Sequence, residues 1–305
     1  MIFSLENDEM IAIIGGSGAD EIIEMADSIE KQTVDTEYGS VEVTLMHVKD
    51  KTVAFLPRHS AGHSVPPHKI NFKANIMALK KIGVSQIIAT NAVGSLDLNI
   101  GPGSFVIIDD FLDFTVNRER TFFDDKVVHM DMSEPLCSRL RNVILSHGDC
   151  VSGGLVDGGT TVCTEGPRFE TSAEIKFFSM IGGTVVGMTS LPEIVLAREA
   201  EMCYASISIV TNYGTSISPD ILSMEEVYEV MEVKKKELVE LLLRTIDDLE
   251  DEECSCHHAL GDGKQRQHQL QPVRHHALGN AKAQKQLQRM FRPLDLGQTR
   301  RRLHH

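Results

Sequence analysis

The stretch 185–214, VVGMTSLPEIVLAREAEMCYASISIVTNYG, decides the fold. Val185-Val186 has strand character and runs into Gly187-Met188-Thr189. Pro192 then heads an apolar-periodic segment, as a proline at the first turn of a helix does. From Tyr204 to Val210 small and β-branched residues alternate as in a second buried strand, which ends in the polar triplet Thr211-Asn212-Tyr213. Strand, helix and strand predict an α/β fold in which two parallel strands deliver Met188, Thr189 and Asn212 to one edge. Small ligands bind beyond such carboxyl ends in open α/β sheets.

Earlier segments repeat the pattern. Ile11 to Ile14 reads as a buried strand entering Gly15-Gly16-Ser17-Gly18, a turn whose freed N–H groups can cradle an anion. It lacks the third glycine of G-x-G-x-x-G, and no G-K-[ST] follows, so dinucleotide and P-loop sites are disfavoured. Val41 to Val48 and Thr52 to Leu56 predict a hairpin that empties into a loop, PRHSAGHSVPPH, over residues 57–68. There the planar guanidinium of Arg58 suits a phosphate or carboxylate. His59 and His63 lie four apart, but on a loop and outside any H-E-x-x-H pattern, so no metal is expected there. Lys69 to Ile82, Pro135 to His147 and Thr171 to Ile181 read as helices, and Gln86 to Thr90, Phe105 to Ile108 and Thr160 to Thr164 as strands. The strand over Gln86 to Thr90 finishes in Asn91-Ala92-Val93-Gly94-Ser95, Glu165 to Glu170 is a charged, glycine-containing loop between strand and helix, and Arg118 with Arg120 adds a second basic pair in a long connection. Met224 to Leu249 is a long helix with Val227, Met231, Leu238, Leu241 and Leu242 on one face.

Composition sets the limits. The chain has 305 residues, 42% of them hydrophobic, and a formal charge of −14, so it repels nucleic acid and anionic membrane as a whole and must hold any anion in a local pocket. No apolar run nears the roughly 20 residues of a membrane span, and the N-terminus lacks the order of a signal peptide; a cytoplasmic address is expected. Cys137, Cys150, Cys163 and Cys203 are scattered singly, as reduced core residues are, and only Cys254-Ser255-Cys256 is a local cluster. Residues 257–305 carry +8 against −22 for residues 1–256. They repeat HHALG at 257 and 275, have little apolar periodicity, and read as a mostly disordered basic Gln/His-rich tail. A polyanion-binding arm and a reading-frame extension are its two open accounts. A catalytic domain is therefore expected over 1–256 and the tail over 257–305.

Taken together, Gly15-Gly16-Ser17-Gly18, Arg58-His59 with His63, Asn91-Ala92-Val93-Gly94-Ser95, Glu165 to Thr171, Met188 to Glu193 and Thr211-Asn212-Tyr213 occur in the order found in the trimeric purine nucleoside phosphorylase family. Residues 10 to about 256 resemble most closely its methylthioadenosine phosphorylase-like branch. That resemblance implies a single-domain three-layer α/β/α fold around a mixed sheet. It implies an enzyme in which phosphate splits a purine nucleoside to free purine and ribose 1-phosphate or its 5-methylthio analogue, with phosphate as co-substrate and no metal or organic cofactor. Ser17, Arg58, His59, Asn91, Ala92 and Thr189 match the family's phosphate set. Phe169 and Met188 match its purine and ribose walls, Gly214 lies beside the base, and Asn212, His59 and His63 match catalytic positions. His129 matches a residue that reaches a neighbouring subunit's site in a trimer or dimer of trimers, and Met224 and Tyr228 are candidates for the 5′ wall. Cys254-Ser255-Cys256 resembles a pair near the end of some archaeal members, as a disulfide or as two thiols.

The chain departs from the adenine-specific branch at one informative point. There the loop resembles Asp-Tyr-Asp; here it is Asn212-Tyr213-Gly214. Asn212 can donate to O6 or N7 and accept from a protonated N7, which favours 6-oxopurines (inosine, guanosine or methylthioinosine) over methylthioadenosine. A non-catalytic nucleoside-binding protein on the same fold is the alternative of another class.

Overall fold

In the computed structural model the described residues are 10–15, 18–60, 62, 64–218, 224–250 and 252–261, so the greater part of the expected tail lies outside them. The centre is β1 (Met10–Gly15), whose six residues are all buried. Its neighbours explain why: β4 (Lys51–Pro57) and β5 (Val84–Ser95) flank it in parallel, and helices cover both faces. Because strand side chains alternate, Met10, Ala12 and Ile14 enter one core while Ile11 and Ile13 enter the other. The first core is closed by α1 (Phe72–Lys81) and α4 (Glu193–Glu199). The second is closed by α2 (Ser138–Ser146) and the long α5 (Met224–Asp248), through Leu140, Ile144, Leu238, Leu241 and Leu242.

These layers enclose an 11-stranded mixed sheet. On one side it continues from β4 through the antiparallel β3 (Gly39–Val48) and β2 (Ser28–Thr36). The expected hairpin is β3 and β4, turning at Lys49-Asp50. On the other side β5 forks. Along one edge β11 (Cys203–Tyr213) runs parallel to it from Gln86 to Ser95, then pairs with β6 (Phe105–Ile107), which pairs with β8 (Leu155–Asp157). Along the opposite edge β1 accompanies β5 only to Ala89, and β10 (Val185–Gly187) takes over, antiparallel, at Gly94 and Ser95. Beyond β10 lie β9 (Thr160–Thr164) and β7 (Asp110–Phe114).

Two expectations change here. The strand expected over Gln86 to Thr90 runs on through Asn91 to Ser95, because β11 gives its backbone hydrogen bonds a ladder that local composition does not reveal. Nor are β10 and β11 a parallel pair. They flank β5 from opposite edges and run in opposite directions, yet Val186 and Asn212 both pair with Gly94, so the same residues still converge.

Candidate active site

Among the described residues no strand pairs with the β1 and β10 edge of β5 from Asn91 to Val93, and a cavity of about 410 Å³ opens beside it. Its lining includes Arg58, His59, Asn91 and Ala92 at one end, Met188 and Thr189 after β10, and Phe169, Glu170, Asn212 and Gly214 at the other end.

Arg58 directly follows β4, and its backbone N–H donates to the Gly15 carbonyl at 3.0 Å. Its side chain is buried and turned onto Glu193 at the start of α4: Nε donates to Oε2 at 2.8 Å and Nη2 to Oε1 at 2.7 Å. Nη1 donates to the Thr90 carbonyl at 2.7 Å on the open edge of β5, and Tyr204 Oη donates to Glu193 Oε1 at 2.7 Å. Burial opposes the guanidinium charge, but the Glu193 carboxylate outweighs it and raises the pKa above the ordinary arginine value. Burial, followed by the same carboxylate, pushes the Tyr204 hydroxyl well up. The Nε/Nη2 side of Arg58 is thus used inside the protein, leaving one N–H on each Nη for an anion.

His59 is half-buried, and the contact from Nδ1 to the Val65 carbonyl, 2.8 Å, puts a proton on Nδ1. The Asn91 amide is committed to structure: Nδ2 donates to Ser190 Oγ at 3.2 Å, and Oδ1 accepts from Ser208 Oγ at 2.9 Å. It ties β5, β11 and the segment after β10 together around the cavity floor. Ala92 and the buried Thr189 also line that floor.

At the purine end, Thr211 Oγ1 donates to Asn212 Oδ1 at 2.8 Å and Asn212 Nδ2 donates to the Tyr213 carbonyl at 2.9 Å, which fixes the amide and leaves one N–H on Nδ2. Gly94 makes room for it; a Cβ there would lie 3.1 Å from Nδ2 and 3.3 Å from Val186 Cγ1. Glu170 is buried, lines the cavity and accepts from Thr164 Oγ1 at 2.6 Å. Its role is not visible in the sequence because it sits among other charged residues; the signal is its place just ahead of the α3 (Ser172–Met180) cap at Thr171. Phe169, 40% exposed, stands at the mouth.

Several expected residues fall elsewhere. Ser17 and His63 lie outside the described residues, as does the side chain of Met224. Tyr228 does not line this cavity; it is 60% exposed and borders an adjoining hollow with Gly18 and Met231 that shares His59 with the cavity, while Val227, one position earlier on α5, is buried and faces the site. His129 is exposed and does not line its own chain's cavity. Arg118 holds the Leu191, Thr164 and Glu165 carbonyls, a strap between connections rather than a ligand site. Arg168 pairs with Glu174 on the surface.

Residues 10–247 match the model of the phosphorylase superfamily. The chain is 54% identical over 253 residues to a probable S-methyl-5′-thioinosine phosphorylase of Methanothermobacter thermautotrophicus, covering 82% of this chain and 89% of that one. It is 48% identical over 259 residues to a 6-oxopurine nucleoside phosphorylase of Pyrococcus furiosus, covering 82% and 97%. Among solved structures, methylthioadenosine phosphorylase from Schistosoma mansoni in complex with adenine superposes with a TM-score of 0.74 at 34% identity, over 79% of this chain and 91% of that one. With motifs, sheet topology and cavity in agreement, the chain belongs to the phosphorylase superfamily.

Proposed function

We propose that this chain is a purine nucleoside phosphorylase acting on 6-oxopurine nucleosides. The observation that carries the purine assignment is the pairing of Asn212 with Glu170 in one cavity. A 6-oxopurine presents acceptors at O6 and N7 and an N–H at N1; the remaining amide N–H of Asn212 can donate to O6 or N7, and a carboxylate accepts from N1–H. Adenine presents an amino group at position 6 and a lone pair at N1, which a carboxylate repels. At the other end, Thr189, the Ala92 backbone and the remaining Arg58 N–H groups would hold phosphate below the sugar. A phosphate oxygen attacks the anomeric carbon as the bond to the purine breaks, and the phosphate charge stabilises the positive charge that develops on the ribose. Asn212 Oδ1 accepts from N7 as the purine leaves protonated there. Both relatives described above act on 6-oxo substrates by name.

Phosphorolysis of methylthioinosine, inosine, guanosine, methylthioadenosine and adenosine, measured side by side, tests this. The expected preference for 6-oxo substrates is about 10- to 100-fold in kcat/KM. Asn212→Asp should narrow or reverse it, and Glu170→Gln should raise the relative adenosine rate. A wild type that prefers methylthioadenosine would instead fit the branch of the solved relatives, and the absence of any phosphate-dependent purine release would leave only a binding protein.

We also propose a homotrimer or a dimer of trimers. Phe114, Val116, Phe177, Met180 and Ile181 are exposed on the described chain, with Phe114 and Phe177 in ring contact, an apolar surface that a neighbouring subunit would cover. A fully active monomer in sedimentation would overturn this. Among the described residues no helix is long and apolar enough to cross a membrane; together with the charge this supports a cytoplasmic enzyme that uses small molecules rather than nucleic acid.

A further inference from the structure

The cysteines that are scattered in the sequence are not scattered in space. Cys137 immediately precedes α2, with its backbone N–H donating to the Tyr204 carbonyl at 2.9 Å; Cys203 opens β11; and Cys254 and Cys256 lie in the segment after α5. The sulfur atoms of all four lie within 4.8 Å of one another, and none of the four residues lines the cavity described above. We propose that Cys137, Cys203, Cys254 and Cys256 form a tetrathiolate site for a zinc-type divalent cation.

The geometry favours a metal over a disulfide. A tetrahedral zinc site with Zn–S bonds of about 2.3 Å has sulfur atoms about 3.8 Å apart along each edge. Cys137 Sγ and Cys254 Sγ are 3.7 Å apart. A disulfide needs roughly 2.05 Å, and it would use the sulfurs in pairs without explaining why all four converge. Thiolates are soft ligands, which selects zinc over magnesium or calcium. Binding involves no redox step: the thiols release their protons to solvent as four S–metal bonds form.

Charge around the cluster is complementary as well. Four thiolates and one divalent ion carry −2. Arg139 Nη2 lies 3.8 Å from Cys203 Sγ, and Arg198 Nη1 lies 3.4 Å from Cys256 Sγ. The two guanidiniums balance that charge, and Arg139 is steadied by Gln86 Oε1 at 2.7 Å. His257 Nε2, 3.6 Å from Cys203 Sγ, adds a ring N–H donor to that sulfur. N–H groups aimed at ligating atoms are the usual support of a metal site. The ligands come from distant segments, so the ion would clamp the chain after α5 to the starts of α2 and β11, at the opposite end of β11 from Asn212.

The test uses the full chain, expressed with zinc and purified under reducing conditions without added metal. Elemental analysis should find about one zinc per chain. Replacement by Co²⁺ should give sulfur-to-cobalt charge-transfer absorption and tetrahedral ligand-field bands. Both should be lost in Cys203→Ser and in Cys254→Ser, and kept in Cys163→Ser, which removes a buried thiol outside the cluster. If Cys203→Ser does not fold, Cys254→Ser carries the comparison, since Cys254 is only half-buried. Removing the metal by chelation should lower Tm by several degrees and leave kcat unchanged. The histidines of residues 257–305 could also take up metal, but they give no sulfur charge transfer. Reduced protein that binds no zinc, cobalt bound without sulfur absorption, or cobalt absorption that survives in Cys254→Ser would each overturn the proposal. So would non-reducing mass spectrometry that finds these cysteines as disulfides in metal-free protein.

Discussion

Glu193→Gln is the substitution that most directly probes how the site is held. Glu193 is fully buried, and Arg58, buried against it, lines the cavity. The amide keeps one oxygen for Arg58 Nη2 and Tyr204 Oη, but its NH2 replaces Oε2 and meets the Arg58 Nε–H, donor against donor. The guanidinium does not deprotonate, so its charge stays in the interior uncompensated. Removing one partner of such a pair costs about 3–5 kcal/mol, a large part of a total stability of about 5–15 kcal/mol. The unpaired cation borders the region assigned to phosphate, so bound phosphate should restore more stability to the variant than to the wild type, through binding to the folded form alone. Urea denaturation followed by circular dichroism, with and without phosphate, measures both effects. Protein concentration must be held constant, since an assembled protein's stability depends on it, and ionic strength matched with chloride. A destabilisation below about 1 kcal/mol, the range of an exposed pair, would refute the structural role of the pair. An equal response to phosphate in both proteins would refute the link between this arginine and the anion.

Gly94→Ala introduces a Cβ 3.1 Å from Asn212 Nδ2 and 3.3 Å from Val186 Cγ1; overpacking of this kind costs about 1–3 kcal/mol, and nucleoside KM should rise more than phosphate KM in initial-rate assays. Thr171→Ala removes the capping box of α3 and should cost about 1 kcal/mol in thermal unfolding. Arg168, and then the Thr171 backbone N–H, hold the Glu174 carboxyl at about 2 against 4.5 ordinarily, so its stabilising share is present above pH 4.5 and is lost as pH falls towards 2. Truncation after Gly261 keeps every described residue and should leave kcat/KM unchanged; a large loss would make residues 262–305 part of the site.

The strands were legible where local pattern is enough. Ile11 to Ile14, Val41 to Val48 and Thr160 to Thr164 lie in strands because their periodicity and boundaries are local properties. The course of β5 was not, since asparagine, glycine and serine at 91–95 resemble a loop until β11 supplies a ladder. Arg58, Asn91, Met188, Thr189 and Asn212 converge as their motifs implied. What the motifs could not reveal is which atoms remain for a ligand: the acceptor for Arg58 lies 135 residues away at Glu193, and Asn91 is satisfied by serines on two other segments. Glu170 within its motif and Val227 on its helix face were not expected to line the cavity for the same reason, because facing a cavity is a tertiary property. The meeting of Cys137 and Cys203 with the Cys254-Ser255-Cys256 segment likewise depends on where β11 begins relative to α2.

The forked edge of β5 divides the cavity into a floor and a roof of different mechanical character. The floor, from Thr90 to Val93, belongs to a strand whose opposite edge is laddered along its length and whose side chains are mostly buried, so its amides should exchange with solvent only on global opening. The roof is carried by the ends of β9, β10 and β11 and by the proline-rich segment after β4, where residues change without breaking a ladder. Of the groups proposed to hold the anion, Ala92 belongs to this floor and Arg58 is tied to it by the bond from Nη1 to the Thr90 carbonyl. Discrimination between purines falls to side chains at strand ends such as Asn212, the last but one residue of β11. A scaffold divided in this way can acquire a new nucleobase preference by substitution at its rim while its chemistry stays where it is.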